Sequence, residues 1–244
     1  RVIAYVSDDM SGRELLAAIK SSMAELAHMN ENNIYGRLET EIEGTKTEDW
    51  ANAWRQYFHT MEIGEKILVK PQWEELTEPT DRVVFNINPG MSFGTGSHET
   101  TQLCLSQLEK YVTPGCRMLD LGCGSGILSV VSLLLGAESA VAVDIDPNCI
   151  DTAYENADMN NIDRDRYTVI SGNVLTDPDV KEVISQHKYE VVAANIVADV
   201  IIGLAPAARL YMKEGGVFIT SGIIDGRQEE VKSALIDAGF SIAN

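Results

Sequence analysis

The stretch LDLGCGSGIL, residues 119–128, sets a carboxylate, Asp120, two positions ahead of the first of three glycines, Gly122, Gly124 and Gly126. Glycines at this spacing between an apolar run and a helix-like run make an open turn that the body of a ligand can approach closely. The pattern is G-x-G-x-G and departs from the dinucleotide fingerprint G-x-G-x-x-G, which needs glycine where Ile127 stands. A dinucleotide would also place its pyrophosphate dianion beside Asp120, and like charges at low effective dielectric repel by several kcal/mol. A cofactor that brings positive charge to the turn gains from the same carboxylate. S-adenosylmethionine, with an ammonium and a sulfonium, is such a molecule. The competing role for Asp120 is to cap the helix that follows.

A second acid, Asp144, ends the apolar run AVAVD 22 residues after Gly122, the distance at which an acid meets a ribose hydroxyl pair. Asp144 supports a nucleoside without choosing among them. Its neighbour Asp146, followed by Pro147, reads as a helix cap with proline at the first helical position. Asn173, in SGNV after the next strand, serves equally as a reader of an adenine edge or as an ordinary turn residue. Cys123, inside the glycine turn, has no histidine near it in sequence to activate it and reads as a small filler.

Another glycine-rich stretch, NPGMSFGTGSHETT at 88–101, precedes a helix. Gly90, Gly94 and Gly96 permit a compact loop, Ser97 is placed to cap the helix, and Thr100 and Thr101 fall in its first turn. A lone histidine in such a loop, His98, reads first as a hydrogen-bonded structural residue. The other histidines, His28, His59 and His187, show no metal-ligand spacing, so no metal is expected.

The elements that must hold these residues alternate from about residue 63: strand RMLDLG, helix 127–135, strand AVAVDID, helix 147–160, strands YTVISG and YEVVAANI, a helix ending at Arg209, strand GGVFITSG, helix 227–238 and a last strand-like FSIAN. Such alternation predicts an α/β fold, a doubly wound, mostly parallel Rossmann-like sheet whose ligands sit beyond the carboxyl ends of its strands. Before it, residues 1–45 read as a partial small α/β unit: strand RVIAYV, helix 12–28 and strand IYGRLETEI. The segment EDWANAWRQYFHTM at 48–61 has helical spacing and reads as a connecting helix. Both ends look cut, with part of the first unit and a C-terminal strand expected to lie outside the sequence.

With 244 residues, 45% of them hydrophobic, the chain can bury a full core. A formal charge of -18 argues against a surface built to grip a phosphate backbone and favours small molecules or basic partners. The four cysteines form no CxxC pair and read as reduced thiols, which points to the cytoplasm. The apolar stretch 191–208 is interrupted by Asn195, Asp199 and Pro206, so no membrane span is expected.

Together LDLGCGSG, VDID and the strand end ANI resemble the class I S-adenosylmethionine-dependent methyltransferases. NPGMSFGTGSHETT, DWANAW and VVAANIVADVI narrow the resemblance, from about residue 48 onward, to the family that methylates the eleventh protein of the large ribosomal subunit, often called PrmA. The resemblance implies that Thr101, Gly122, Asp144 and Asn195 contact the cofactor, with Phe93 and Gly94 in the same loop and Gly124 and Asp120 in the same turn. It also implies a ferredoxin-like N-terminal substrate-recognition domain over 1–45, a linker helix over 46–62 and a methyltransferase domain over 63–244. Glu99 stands where the family usually has proline, and its charge suits the start of a helix.

The implied chemistry is N-methylation of lysine side chains or an N-terminal amine on a ribosomal large-subunit protein. No nucleic acid is required, and a monomer is favoured. At pH 7 a lysine amine of ordinary pKa costs roughly 4.6 kcal/mol to deprotonate. Asn195, at the carboxyl end of its strand, offers a neutral carbonyl that orients the amine without holding it charged. Asp199, one turn on, is a weaker candidate for accepting a proton through water. The rival readings are a methyltransferase of the same fold acting on RNA, another protein or a small amine, a nicotinamide-dependent oxidoreductase, and a non-catalytic nucleoside-binding module.

Overall fold

The structure is a computed structural model and describes residues 10–30, 34, 58–88, 96 and 98–243. The strand expected at 1–6, that expected at 34–42 apart from Ile34, which lies in a turn, most of the connecting helix, and the loop residues Phe93 and Gly94 lie outside these residues. Two compact units divide the chain, Arg1–Trp54 and Arg55–Asn244. In the first, α1 (Met10–Met29) matches the helix expected there.

The second unit opens with a three-stranded sheet: β1 (Met61–Ile63), β2 (Ile67–Pro71) and β3 (Val83–Ile87), in that order, β1 antiparallel and β3 parallel to β2. The helical spacing expected through Met61 therefore stops short of it. Met61 pairs with Val69 across the ladder, where it and Ile63 turn apolar side chains inward while Glu62 faces out. Next comes α2 (Glu99–Tyr111).

The alternating segment follows as β4 (Arg117–Leu121), α3 (Ile127–Leu134), β5 (Ser139–Asp144), α4 (Asn148–Met159), β6 (Tyr167–Ser171), α5 (Pro178–Ser185), β7 (Tyr189–Asn195), α6 (Ala198–Tyr211), β8 (Met212–Ser221) and α7 (Gln228–Asp237). Its five strands are ordered β6-β5-β4-β7-β8 and every pairing is parallel. The chain winds outward from β4 to β6, then returns to β4's other side with β7. Between β4 and β7 lies the topological switch point, where such sheets open a crevice.

Both faces of the sheet are covered, as the apolar strands require. Met118, Ala142 and Val191 face one core layer with Leu105, Val130 and Ala157. Leu119, Val141, Val143 and Val192 face the other with Ile184 and Leu204. The period of two along each strand thus builds two cores on one sheet.

Two expectations are corrected here. A helix over 178–185 was not anticipated, although Asp177 and Pro178 carry its signature: the Asp177 carboxylate accepts from the Asp179 N–H at 2.9 Å, with proline at the first helical positions. FSIAN forms no strand over 240–243. Its apolar period finds a face but no ladder partner, and Phe240 packs on Phe218 with ring centroids 5.4 Å apart. α6, expected to end at Arg209, runs through Pro206 to Tyr211.

Leu119 lies at the centre of the sheet with no exposure. Leu119→Ala is expected to lower stability by about 2–5 kcal/mol, read as a lower denaturant midpoint at unchanged slope. A loss under about 1 kcal/mol would contradict the packing described.

Candidate active site

Three adjacent strands deliver three polar side chains to one edge. Asp120 of β4 is in register with Ala142 of β5 and Ala193 of β7. Asp144 and Asn195 are the last residues of those two neighbours. The edge opens into the glycine turn. There the N–H groups of Gly122 and Cys123 donate to the Val143 carbonyl at 2.8 and 3.1 Å, and the Gly126 N–H closes back on the Cys123 carbonyl at 2.8 Å.

Gly122 and Gly126 both have left-handed backbone, at φ 79° and 74°. A Cβ on Gly122 would lie 2.4 Å from Ile196 Cγ2, and one on Gly126 would lie 2.5 Å from the Tyr167 hydroxyl. Glycine is demanded twice at each position, by conformation and by space.

Asp120 is fully buried. Its Oδ2 accepts from the Ser129 N–H at 3.1 Å, in the first turn of α3. Its Oδ1 is sealed from solvent without a hydrogen-bond partner among the described residues. The capping role and the ligand role therefore share the residue, one oxygen to each. Burial pushes the carboxyl up to about 7; the Ser129 bonds oppose this and the charge of Asp144 adds to it. An unsatisfied buried acceptor costs about 1–3 kcal/mol, and a ligand ammonium would answer that need. The fit to S-adenosylmethionine rests on this orphaned oxygen and on a turn that admits no side chain.

Asp144 is half-buried. Its Oδ2 accepts from the Gly124 N–H at 2.9 Å and its Oδ1 from the Asp146 N–H at 3.0 Å, so the acid also braces the turn while keeping lone pairs for a ribose diol. The N-cap of α4 is Pro147, not the expected Asp146, which stands one residue earlier and accepts from the Asn148 N–H at 2.9 Å. Ile145, between Asp144 and Asp146, is 73% exposed. An exposed isoleucine beside an acid suited to ribose offers a flat apolar contact for a purine, and sequence reasoning passed over it. Asn173 is exposed and spends its Oδ1 on the Leu175 N–H at 2.8 Å. The turn role is thus present, and only its Nδ2 remains to meet an adenine acceptor.

Across the switch point, the Asn195 amide donates to the hydroxyl of the buried Thr101 at 3.0 Å. This bond joins residues 94 positions apart and brings the second glycine-rich stretch to the sheet. The cap of α2 is His98, whose Nδ1 accepts from the Thr100 N–H at 3.3 Å and lies 2.7 Å from the Thr100 hydroxyl. That assigns to His98 the capping expected of Ser97, which lies outside the described residues. Asp199 is exposed and ion-paired with Arg227 at 2.7 Å, and the guanidinium holds its carboxyl below the usual range. It is a poor proton acceptor.

All four cysteines are buried free thiols. Desolvation pushes Cys104 and Cys149 up to about 12 and raises Cys123 further, so none is a nucleophile near neutral pH. Among the described residues, no three His, Cys, Asp or Glu side chains could hold a metal ion together.

A sequence model of the family described as ribosomal protein L11 methyltransferase (PrmA) matches residues 1–244. The chain belongs to this family. Among its relatives, the ribosomal protein L11 methyltransferase of Lachnospira eligens is 44% identical, over 94% of this chain and 71% of its own length. That of Acetivibrio thermocellus is 39% identical, over 98% of this chain and 72% of its own length. The crystal structure of a ribosomal protein L11 methylase from Lactobacillus delbrueckii subsp. bulgaricus superposes with a TM-score of 0.68 at 29% identity, covering 77% of this chain and 92% of that one. PrmA membership agrees with the five-stranded parallel sheet.

The raised carboxyl of Asp120 sets a pH dependence. Its proton is held more tightly in the folded chain than in the unfolded one, so its contribution to stability is present at low pH and is lost as pH rises from about 4 through about 7. Between pH 5 and pH 8 the melting temperature of the ligand-free protein is expected to fall relative to that of Asp120→Asn by about 5 °C. Parallel melting curves for the two proteins would contradict the burial of an ionisable carboxyl.

Proposed function

We propose that this protein transfers methyl groups from S-adenosylmethionine to amino groups of ribosomal protein L11, its relatives being named ribosomal protein L11 methyltransferases. The observation that carries the reading is the bond from Asn195 to Thr101, made at the switch point beside the unpartnered oxygen of Asp120. Bound there, S-adenosylmethionine supplies an electrophilic methyl on its sulfonium.

The rest is the work of this chain's residues. Asp120 Oδ1 would receive the ammonium, Gly122 and Gly124 would admit the body of the ligand, Asp144 would accept the ribose hydroxyls, and Ile145 and Asn173 Nδ2 would meet the purine. Phe93 and Gly94 belong to the same site by their place in the loop. Thr101 fixes the amide of Asn195, so that Oδ1 accepts an N–H of the substrate amine and aims its lone pair at the methyl. The acceptor is a lysine side chain or an N-terminal amine. A neutral carbonyl orients that amine without stabilising its ammonium, and desolvation lowers the cost of keeping it neutral. Since Asp199 is held ionised by Arg227, the amine loses its proton to water before it is buried.

Residues 1–45 are assigned to substrate recognition and 63–244 to catalysis, with the protein acting as a monomer in the cytoplasm and without nucleic acid. No described helix is long and apolar enough to cross a membrane. The excess of acid over base, -18 in total, suits a basic protein partner.

Full-length protein incubated with methyl-labelled S-adenosylmethionine and ribosomal proteins from cells lacking the enzyme is expected to raise the mass of L11 in steps of one methyl. Label in RNA, or none in L11, would overturn the assignment. Asn195→Ala should lower kcat by about 10²-fold, and Thr101→Val, which removes the hydroxyl at nearly constant shape, by about tenfold. Unchanged turnover in Asn195→Ala would remove this mechanism while leaving the family intact.

A further inference from the structure

A buried chain of asparagine amides runs beneath the glycine turn, and the methyl-transfer reading leaves it unused. Asn160, which ends α4, accepts from the Asn86 N–H at 2.7 Å and donates its Nδ2 to the Asn86 carbonyl at 2.7 Å. The same Nδ2 donates to the Asn156 carbonyl at 2.7 Å, and the Asn156 amide donates to the Ser125 carbonyl at 2.8 Å. Asn156 and Asn160 are 1% and 6% exposed.

The two ends of this chain decide its meaning. Ser125 stands between Gly124 and Gly126. Asn86 lies on β3, the strand from which the chain runs on toward Gly96 and Thr101, and among the described residues β3 is an edge strand that pairs with β2 alone. On its other side the Asn160 amide bonds both backbone groups of Asn86, as a neighbouring peptide would. Gly96 in turn packs where an added Cβ would lie 3.2 Å from Ile127, the first residue of α3 after the turn.

Burying two primary amides is costly unless their donors and acceptors are met. Here both protons of Asn160 are used, and its oxygen is shared between the Asn86 N–H and, at 3.4 Å, the Asn86 side chain. A pair of apolar residues would fill the space but would hold no register. A satisfied buried network fixes one geometry, and a fixed geometry spares a ligand the cost of ordering its site.

We propose that Asn156 and Asn160 are positioning residues for S-adenosylmethionine, holding the glycine turn in register with the strand that leads to Thr101. The inference rests on the cofactor reading above. They touch no cofactor atom and act through Ser125 and Asn86.

Calorimetric titration of the full-length protein with S-adenosylhomocysteine, alongside melting temperatures and steady-state kinetics, tests this. Asn160→Asp keeps size and acceptors and removes both donors; Asn156→Ala removes the link to Ser125. Each is expected to raise the Kd for S-adenosylhomocysteine and the KM for S-adenosylmethionine about tenfold, with kcat at saturation within about threefold of wild type. Ile184→Ala, in the opposite core layer, should lower the melting temperature and leave the Kd unchanged. Kd values within twofold of wild type in both asparagine variants would make the network structural only and overturn the proposal. So would equal weakening in Ile184→Ala, which would trace the effect to general destabilisation. Wild-type protein that takes up no S-adenosylhomocysteine would overturn the cofactor reading itself, and this inference with it.

Discussion

Asp120, the penultimate residue of β4, has one carboxylate oxygen bonded to the first turn of α3 and the other sealed from water without a partner among the described residues. In a protein interior that arrangement is unfavourable, and the raised carboxyl pKa expresses it. The surrounding structure keeps it so. β5 and β7 flank β4 in parallel register, the glycine turn closes over it, and Ile196 occupies the space a side chain at Gly122 would need. The residue is stabilised as a helix cap and left incomplete as a charge partner. A ligand that supplies positive charge at that oxygen relieves the deficit, whereas a pyrophosphate would deepen it.

The same edge explains why the site works by placement and desolvation. No buried thiol is acidic enough to attack, the one acid near Asn195 on α6 is tied to Arg227, and His98 caps a helix. What remains is a neutral amide held by a buried hydroxyl. That set is poorly suited to proton transfer and well suited to orienting an amine that arrives neutral. A chain that belongs to the ribosomal protein L11 methyltransferase family thus carries, at its switch point, groups matched to a displacement at a sulfonium methyl.

Much of this was legible in the sequence because the signals are local. A carboxylate two residues before a glycine cluster, an acid one strand later and an asparagine ending a long apolar run each follow from strand period and position. Contacts between distant segments were not legible: nothing in the spacing of Thr101 and Asn195 announces that their side chains meet. Ser97 is the expected cap by residue type, whereas His98, in extended backbone, takes that role. The three-stranded sheet was missed because its strands are short and β1 follows a segment of helical spacing. Asn156 and Asn160 sit on a helix at i and i+4, where sequence reads surface polarity, and burial alone reveals that they bind backbone on two other elements. The strand expected at FSIAN failed for the converse reason: alternation specifies a face, but a strand also requires a ladder.

The central claim is that the unpartnered oxygen of Asp120 is the counter-charge for the cofactor. The most direct test is calorimetric titration of the full-length protein with S-adenosylmethionine at pH 6 in buffers of different ionisation enthalpy, which counts protons exchanged on binding. With a carboxyl near 7 in the free protein, binding an ammonium there should release close to one proton in the wild type and none in Asp120→Asn. Equal proton release from both proteins, or none from the wild type, would contradict the account.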